Sequence, residues 1–233
     1  MRNLLFVTVG TSALDAPRRI RSSDLSRKGE LEDLARKVKG FRDDKGPDKT
    51  ADGLLSPLLE LHRGFWARTE IPWEDKEQIR ETSAELLTTA VLLRNLAHDA
   101  ELVVHKIILL VPDNPEAKLA GEIVKAVMES REYRAHCQAP PVVTRTLPDI
   151  DEKEAMQALP SALLSAVSEN RDAETDRIIF NATAGYGAML ILIGMLALRY
   201  GFRVYYQHEK MKSPMFISQN IHIGWDARTW ILS

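Results

Sequence analysis

The chain has 233 residues, 45% hydrophobic and 27% charged, with 31 lysines and arginines against 33 aspartates and glutamates. At roughly 100–200 residues per domain, that is one large domain or two small ones, long enough to bury a core without a disulfide or metal staple. The single Cys137 excludes an intrachain disulfide and a cysteine-based zinc site. A net charge of −2 excludes a generally basic nucleic-acid-coating protein but allows a local basic pocket.

In chain order, Leu4–Val9 is a short β-rich run ending at Gly10, too short for a signal-peptide core. From Asp15 to Arg80, 29 of 66 residues are charged, against 35 of the other 167. Within that stretch Leu31, Leu34, Ala35 and Val38 fall at helical spacing, and Leu54, Leu55, Leu58 and Leu59 form a second apolar patch. Residues 43–49 (DDKGPDK) mark a turn or mobile loop between them. Residues 15–80 read as a charged helical insertion after the first strand, either a solvated face or a lid over a neighbouring site. The expectation is a single domain spanning residues 1–233, with the 15–80 insertion within it.

Beyond the insertion, strands and helices alternate. Thr82–Ala97 is a helix with Leu86, Leu87, Ala90, Val91 and Leu93 facing inward. Lys106–Val111 is a continuous apolar run, as expected of a strand buried on both faces of a parallel sheet. Glu116–Ser130 is a helix with Leu119, Ile123, Val127 and Met128 on one stripe. Val142–Thr146 is a strand, Glu152–Ser168 a helix, and Arg177–Phe180 a strand that leads through residues 181–185 into an apolar helix ending near Tyr200. Arg203–Gln207 is a further strand. Met215–Ser218, Asn220–Ile223 and Thr229–Leu232 read as short antiparallel strands. The pattern predicts an α/β fold: a Rossmann-like, mostly parallel, doubly wound sheet. The longest apolar stretch, Ala188–Leu198, is eleven residues, short of the ~20 a membrane span needs. The expectation is a soluble, cytoplasmic protein with no membrane partner.

In such sheets ligands bind outside the carboxyl ends of the strands, where backbone N–H groups at helix N-termini point outward. Two segments fall at such ends: Thr8-Val9-Gly10-Thr11-Ser12 and Asn181-Ala182-Thr183-Ala184-Gly185-Tyr186-Gly187. Both combine small residues with hydroxyl and amide donors, which suits phosphate or nucleotide chemistry rather than metal chemistry. Neither is a GxGxxG or Walker A loop. Gly10 reads equally well as a plain turn, and Thr183 as an N-terminal cap.

Taken together, VTVGTS at the start, SAEL at 83–86, VPDNPEAKLAGEIV at 111–124 and NATAGYGAM at 181–189 resemble the CRISPR-associated Rossmann-fold (CARF) family. The chain is most similar to its stand-alone members from type III systems, which include ring nucleases. The resemblance covers the chain apart from about residues 15–80 and the extreme C-terminus. It implies a homodimer that binds a cyclic oligoadenylate across its two-fold axis, with no cofactor, metal or DNA partner. It also implies metal-independent cleavage, in which a ribose 2′-hydroxyl attacks the adjacent phosphorus and leaves a 2′,3′-cyclic phosphate. The implied ligand-binding residues are Gly10, Thr11, Ser12, Asn181, Thr183, Ala184, Gly185 and Tyr186. The resemblance further implies that Ser12 first, and Thr11 with it, orient the phosphate for cleavage.

The family's late motif commonly ends Gly-x-Lys, and its lysine stabilises the cleaved phosphate; here Gly187 stands in that position. Lys210 is the expected substitute, with Lys212, His208, Arg18 and Arg19 as other candidates. The alternative function is a non-catalytic sensor or sponge that binds the ring and regulates a partner effector. Arg131…His136 and Arg203…His208 match an Arg-x4–6-His ribonuclease spacing, but neither lies in an appended helical domain. A transcription regulator with an appended winged helix does not fit the strand-like tail. Cys137 reads as a structural thiol, and the four tryptophans as core or interface residues ahead of adenine-stacking ones. The apolar faces of the helices at 82–97 and 184–200 are the candidate dimer surfaces.

Overall fold

The computed structural model of the protein describes residues 2–20, 25–44, 50–71, 73, 81–99, 101–149, 153–172, 176–183, 187–206 and 215–216. Strand β1 (Asn3–Thr8) runs into a 3-10 turn (Ser12–Asp15) and the helices α1 (Ala16–Arg19), α2 (Leu25–Asp43), α3 (Leu55–Trp66) and α4 (Ala84–Leu96). Then come β2 (Val104–Pro112), α5 (Pro115–Met128), α6 (Arg131–Cys137), β3 (Val142–Leu147) and α7 (Lys153–Asn170). The chain continues through β4 (Arg177–Asn181), α8 (Gly187–Tyr200), β5 (Arg203–Tyr206) and β6 (Met215–Phe216). The strands lie in the order β3-β2-β1-β4-β5-β6; the first five are parallel, and β6 pairs antiparallel with β5.

This is the doubly wound Rossmann-like α/β sheet that the alternating elements predict. Period-two alternation divides each central strand between two cores. Leu5 and Val7 of β1, with Ile107, Leu109 and Val111 of β2, face Leu86 and Ala90 of α4 and Leu119, Ile123 and Val127 of α5. Leu4 and Phe6, with Ile108, Leu110 and Phe180, face Leu159 and Leu163 of α7 and Met189 and Ile193 of α8. Each such fully buried side chain contributes about 1.5–3 kcal/mol relative to exposure. The helix starts are fixed locally: Asn114 and Ser130 accept the Ala117 and Tyr133 N–H groups, and Pro115 opens α5.

The charged stretch contributes to the first of these cores. Leu34, Val38 and Phe41 of α2 and Leu58, Phe65 and Trp66 of α3 are buried in it, and Trp66 is wholly enclosed. Its charges line the outer faces of helices whose inner faces pack on one another and on α5 and α6. Two details depart from the sequence pattern. Val91 is only half-buried while Thr88, Thr89 and Leu92 are buried, because α4 is sandwiched between the sheet and other helices. Helix α6 has too little apolar periodicity to be predicted; it is set by its Ser130 cap and ended by Gln138 in the left-handed region (φ 46°). Residues 45–49 of the predicted loop and the strands predicted at 220–223 and 229–232 lie outside the described residues.

Candidate functional site

Strand order reverses between β1 and β4: from β1 the chain proceeds to β2 and β3 on one side, then returns to β4 and β5 on the other. The crevice at the carboxyl ends of such a pair is where doubly wound sheets take their ligands. Both sequence-predicted segments meet there, since Val7 of β1 pairs directly with Asn181 of β4.

On the β1 side, Gly10 is buried and Thr11 and Ser12 are half-buried. The Gly10 N–H and the Ser12 hydroxyl already have partners. The Gly10 N–H donates to Glu85 Oε1 at 2.8 Å, the Ser12 hydroxyl donates to Glu85 Oε2, and Ser12 Oγ accepts the Ala84 N–H at 2.9 Å. Glu85 is wholly buried in the first turn of α4, beside the Ser83 cap that accepts the Leu86 N–H. Glu85 thus accepts two hydrogen bonds from the Gly10–Ser12 loop at the start of α4.

On the β4 side, Asn181 is 2% exposed and both ends of its amide are used. Its Nδ2 donates to the hydroxyls of Thr88 and Thr89 at 2.9 and 3.1 Å, and its Oδ1 accepts the Thr183 hydroxyl at 2.8 Å and the Thr183 N–H at 3.4 Å. Asn181 therefore sits behind the surface and shapes the turn that presents half-buried Thr183. Ala184, Gly185 and Tyr186, as well as His208, Lys210 and Lys212, lie outside the described residues. Gly187 opens α8 exposed, and a Cβ built on it meets nothing within 4 Å.

The insertion is tied to this edge at two points. Arg42 of α2 donates to the Thr11 carbonyl at 3.1 Å and to Asp15 at 2.8 Å. Buried His62 of α3 stands 2.9 Å from the Ala13 carbonyl through Nε2 and 3.2 Å from the Thr82 hydroxyl through Nδ1; the Trp66 indole N–H also donates to that hydroxyl. A carbonyl only accepts, so Nε2 carries the proton and Nδ1 accepts from Thr82. Burial pushes the His62 imidazole down from 6.5 to about 4, the Ala13 hydrogen bond works against that, and Arg19's charge adds to it. Arg18 is exposed, and Arg19 pairs with Asp15 at 3.7 Å.

Sequence reasoning names Glu85 only as a letter of the SAEL motif and misses Arg42 and His62. The one available signal is an acid set in an otherwise apolar or hydroxyl-bearing first turn, which nothing local distinguishes from an ordinary dipole-complementing residue. Cys137 is buried, donates to the Tyr133 carbonyl at 3.4 Å and is pushed up to about 12 by burial, so it is not a nucleophile at neutral pH. His136, of the Arg131…His136 pair, donates to the Trp66 carbonyl at 3.0 Å, within the packing of α3 and α6. Among the described residues no cluster of three or more His, Cys, Asp or Glu side chains has metal-binding geometry, and no helix is long and apolar enough to cross a membrane.

The family described as CRISPR-associated protein (Cas_APE2256) matches residues 80–219, more than half of the chain. The chain belongs to this family. The Cas_APE2256 match begins just before α4 and runs through β6, so it takes in Glu85, Asn181–Thr183 and Gly187 and leaves β1 and Gly10–Ser12 outside. No curated protein matches the chain.

Proposed function

We propose that this CRISPR-associated chain is a stand-alone CARF-type ring nuclease. As a homodimer it binds a cyclic oligoadenylate, cyclic tetra-adenylate in the first instance, and opens it without a metal to linear products ending in 2′,3′-cyclic phosphate, ending a type III CRISPR signal. One observation carries the reading: the Gly10–Ser12 loop and the Asn181–Thr183 turn lie side by side at the switch point of the sheet, in a chain of a CRISPR-associated family. A cyclic tetra-adenylate has four phosphates, so each subunit of a two-fold pocket must serve two. In this proposal one phosphate lies against the Gly10–Ser12 loop and the other is served by Thr183, Ala184, Gly185 and Tyr186, with Lys210 supplying positive charge. The protein's part is alignment of the 2′-oxygen with phosphorus and stabilisation of the developing charge. The single-domain organisation, with residues 15–80 as its insertion, belongs to the same proposal.

Dimerisation is supported by α8, whose Ile191, Met195 and Leu198 form an apolar stripe at i, i+4 and i+7, with Ile191 67% and Met195 63% exposed. A second reading, a sensor or sponge that holds the ring uncut, is favoured by one feature. Gly187 offers no cation at the helix start where the resembling family carries lysine.

Incubation with radiolabelled cyclic tetra- and hexa-adenylate, with and without EDTA, separates these readings. Linear products formed equally in EDTA support the nuclease, and tight retention without turnover supports the sensor. Failure to retain either ring refutes both.

A further inference from the structure

Ser12 enters the proposed function as a phosphate-orienting hydroxyl, but its hydrogen bonds fit a different task. A hydroxyl has one O–H to donate and two lone pairs with which to accept. The Ser12 proton is committed to Glu85 Oε2, and one lone pair takes the Ala84 N–H. What remains on this half-buried residue is a single acceptor lone pair. A phosphate oxygen is also an acceptor and gains nothing from it. A ribose 2′-hydroxyl, which must lose its proton to attack phosphorus, is matched to it. Behind Ser12, Glu85 is wholly buried, and its second oxygen is held by the Gly10 N–H at 2.8 Å, so the carboxylate is fixed in place with half-buried Ser12 as its hydroxyl partner.

We infer that Ser12 and Glu85 form a proton-accepting pair for the attacking 2′-hydroxyl, with Ser12 the catalytic residue and Glu85 the positioning residue behind it. The inference rests on the ring-nuclease reading. In the step, the 2′-O–H bond breaks as the 2′-oxygen–phosphorus bond forms. The 2′ proton passes to Ser12 Oγ while the Ser12 proton passes to Glu85 Oε2. The phosphorus–O5′ bond breaks with its electron pair on O5′, and O5′ takes a proton from water. The resulting hydroxide recovers the proton from Glu85 through Ser12. No water is consumed overall, and the product is the ring's isomer with one 2′,3′-cyclic phosphate and one 5′-hydroxyl. The pair has the arrangement of an activated hydroxyl backed by a carboxylate, here accepting a proton rather than attacking.

The substitution Glu85→Gln tests this at nearly constant shape. A glutamine whose carbonyl keeps the Gly10 N–H turns its NH2 toward Ser12, so Ser12 accepts twice and its own O–H points outward as a donor. Binding and cleavage then separate. With uniformly labelled cyclic tetra-adenylate in EDTA, E85Q is expected to keep ring affinity within about threefold and to lose at least about 100-fold in single-turnover rate, the scale of a lost general base. Ser12→Ala, at a half-buried position, carries the same expected loss of rate whether or not the buried E85Q variant folds. The double variant loses no more than either single one, because the two residues act as a unit. Cleavage by E85Q within about threefold of the wild type overturns the pair. So does loss of ring binding by an E85Q protein with an unchanged melting curve, or multiplicative losses in the double variant. A wild-type chain that holds the ring uncut overturns the pair and leaves ring binding standing. A wild-type chain that binds no ring refutes the reading of the site itself.

Discussion

The His62 network makes a quantitative prediction about pH. His62 is wholly buried on α3, donates to the Ala13 carbonyl, accepts from Thr82, and is held neutral with its folded value near 4. In the unfolded chain the imidazole titrates near its ordinary 6.5. Above that value both states are neutral and His62 adds no pH dependence. As pH falls from 6.5 toward 4, the unfolded chain takes up a proton that the folded chain excludes, so folding weakens; below 4 both states are protonated and the loss levels off. At 1.36 kcal/mol per pH unit, the window contributes roughly 3 kcal/mol, a large fraction of a typical 5–15 kcal/mol stability. The perturbation is His62→Gln, which keeps a donor and an acceptor but does not titrate. Urea unfolding of both proteins at several values between pH 7 and pH 4 separates His62 from the carboxylates, which both proteins share. At pH 7 the variant is expected to be less stable by about 1–3 kcal/mol, the cost of imperfectly satisfied buried partners. That gap closes or reverses by roughly 3 kcal/mol as pH approaches 4. A gap that stays constant within about 0.5 kcal/mol across the range refutes the assigned buried neutral imidazole.

Three further outcomes follow from local geometry. Gly121 packs α5 against β2 so closely that a Cβ there falls 2.8 Å from the branched, buried side chain of Val111. Gly121→Ala is expected to lower stability by about 1–2 kcal/mol in urea unfolding, because overpacking outweighs the gain in helix propensity. Gln138 ends α6 at φ 46°, so Gln138→Gly is expected to raise stability by up to about 1 kcal/mol, read as a higher melting temperature. Gly187 has room for a side chain, and Gly187→Lys places a cation at the first turn of α8; under the proposed ring-nuclease function, single-turnover cleavage is expected to quicken by at least about tenfold.

The sheet was legible because its strands carry their own evidence. Ile107–Val111 has no polar break, and a run buried on both faces has few alternatives to a central parallel strand. The periodicity of Leu31, Leu34 and Val38 likewise placed α2. Helix α6 was not legible, since seven residues held by a cap and two buried side chains leave no repeating pattern. The two candidate segments stand out in the sequence because glycines and hydroxyls after a strand are a local signal. Their partners do not. Glu85 lies 75 residues from Gly10, and His62 lies 49 from Ala13; only tertiary packing brings a carboxylate under the first or an imidazole against the second. For the same reason Asn181 read as a ligand residue from its motif, whereas its burial against Thr88 and Thr89 makes it the support for Thr183.

In the proposed function, two copies of this chain share one cyclic oligonucleotide at the β1–β4 edge. Calorimetric titration of cyclic tetra-adenylate into the wild-type protein in EDTA, with the oligomeric state measured by light scattering in the same buffer, tests it directly. The expected result is a dimer that takes up one ring per two chains, with binding weakened when Thr183 is replaced by alanine. A monomer, a stoichiometry of one ring per chain, or no heat of binding with the folded protein contradicts it.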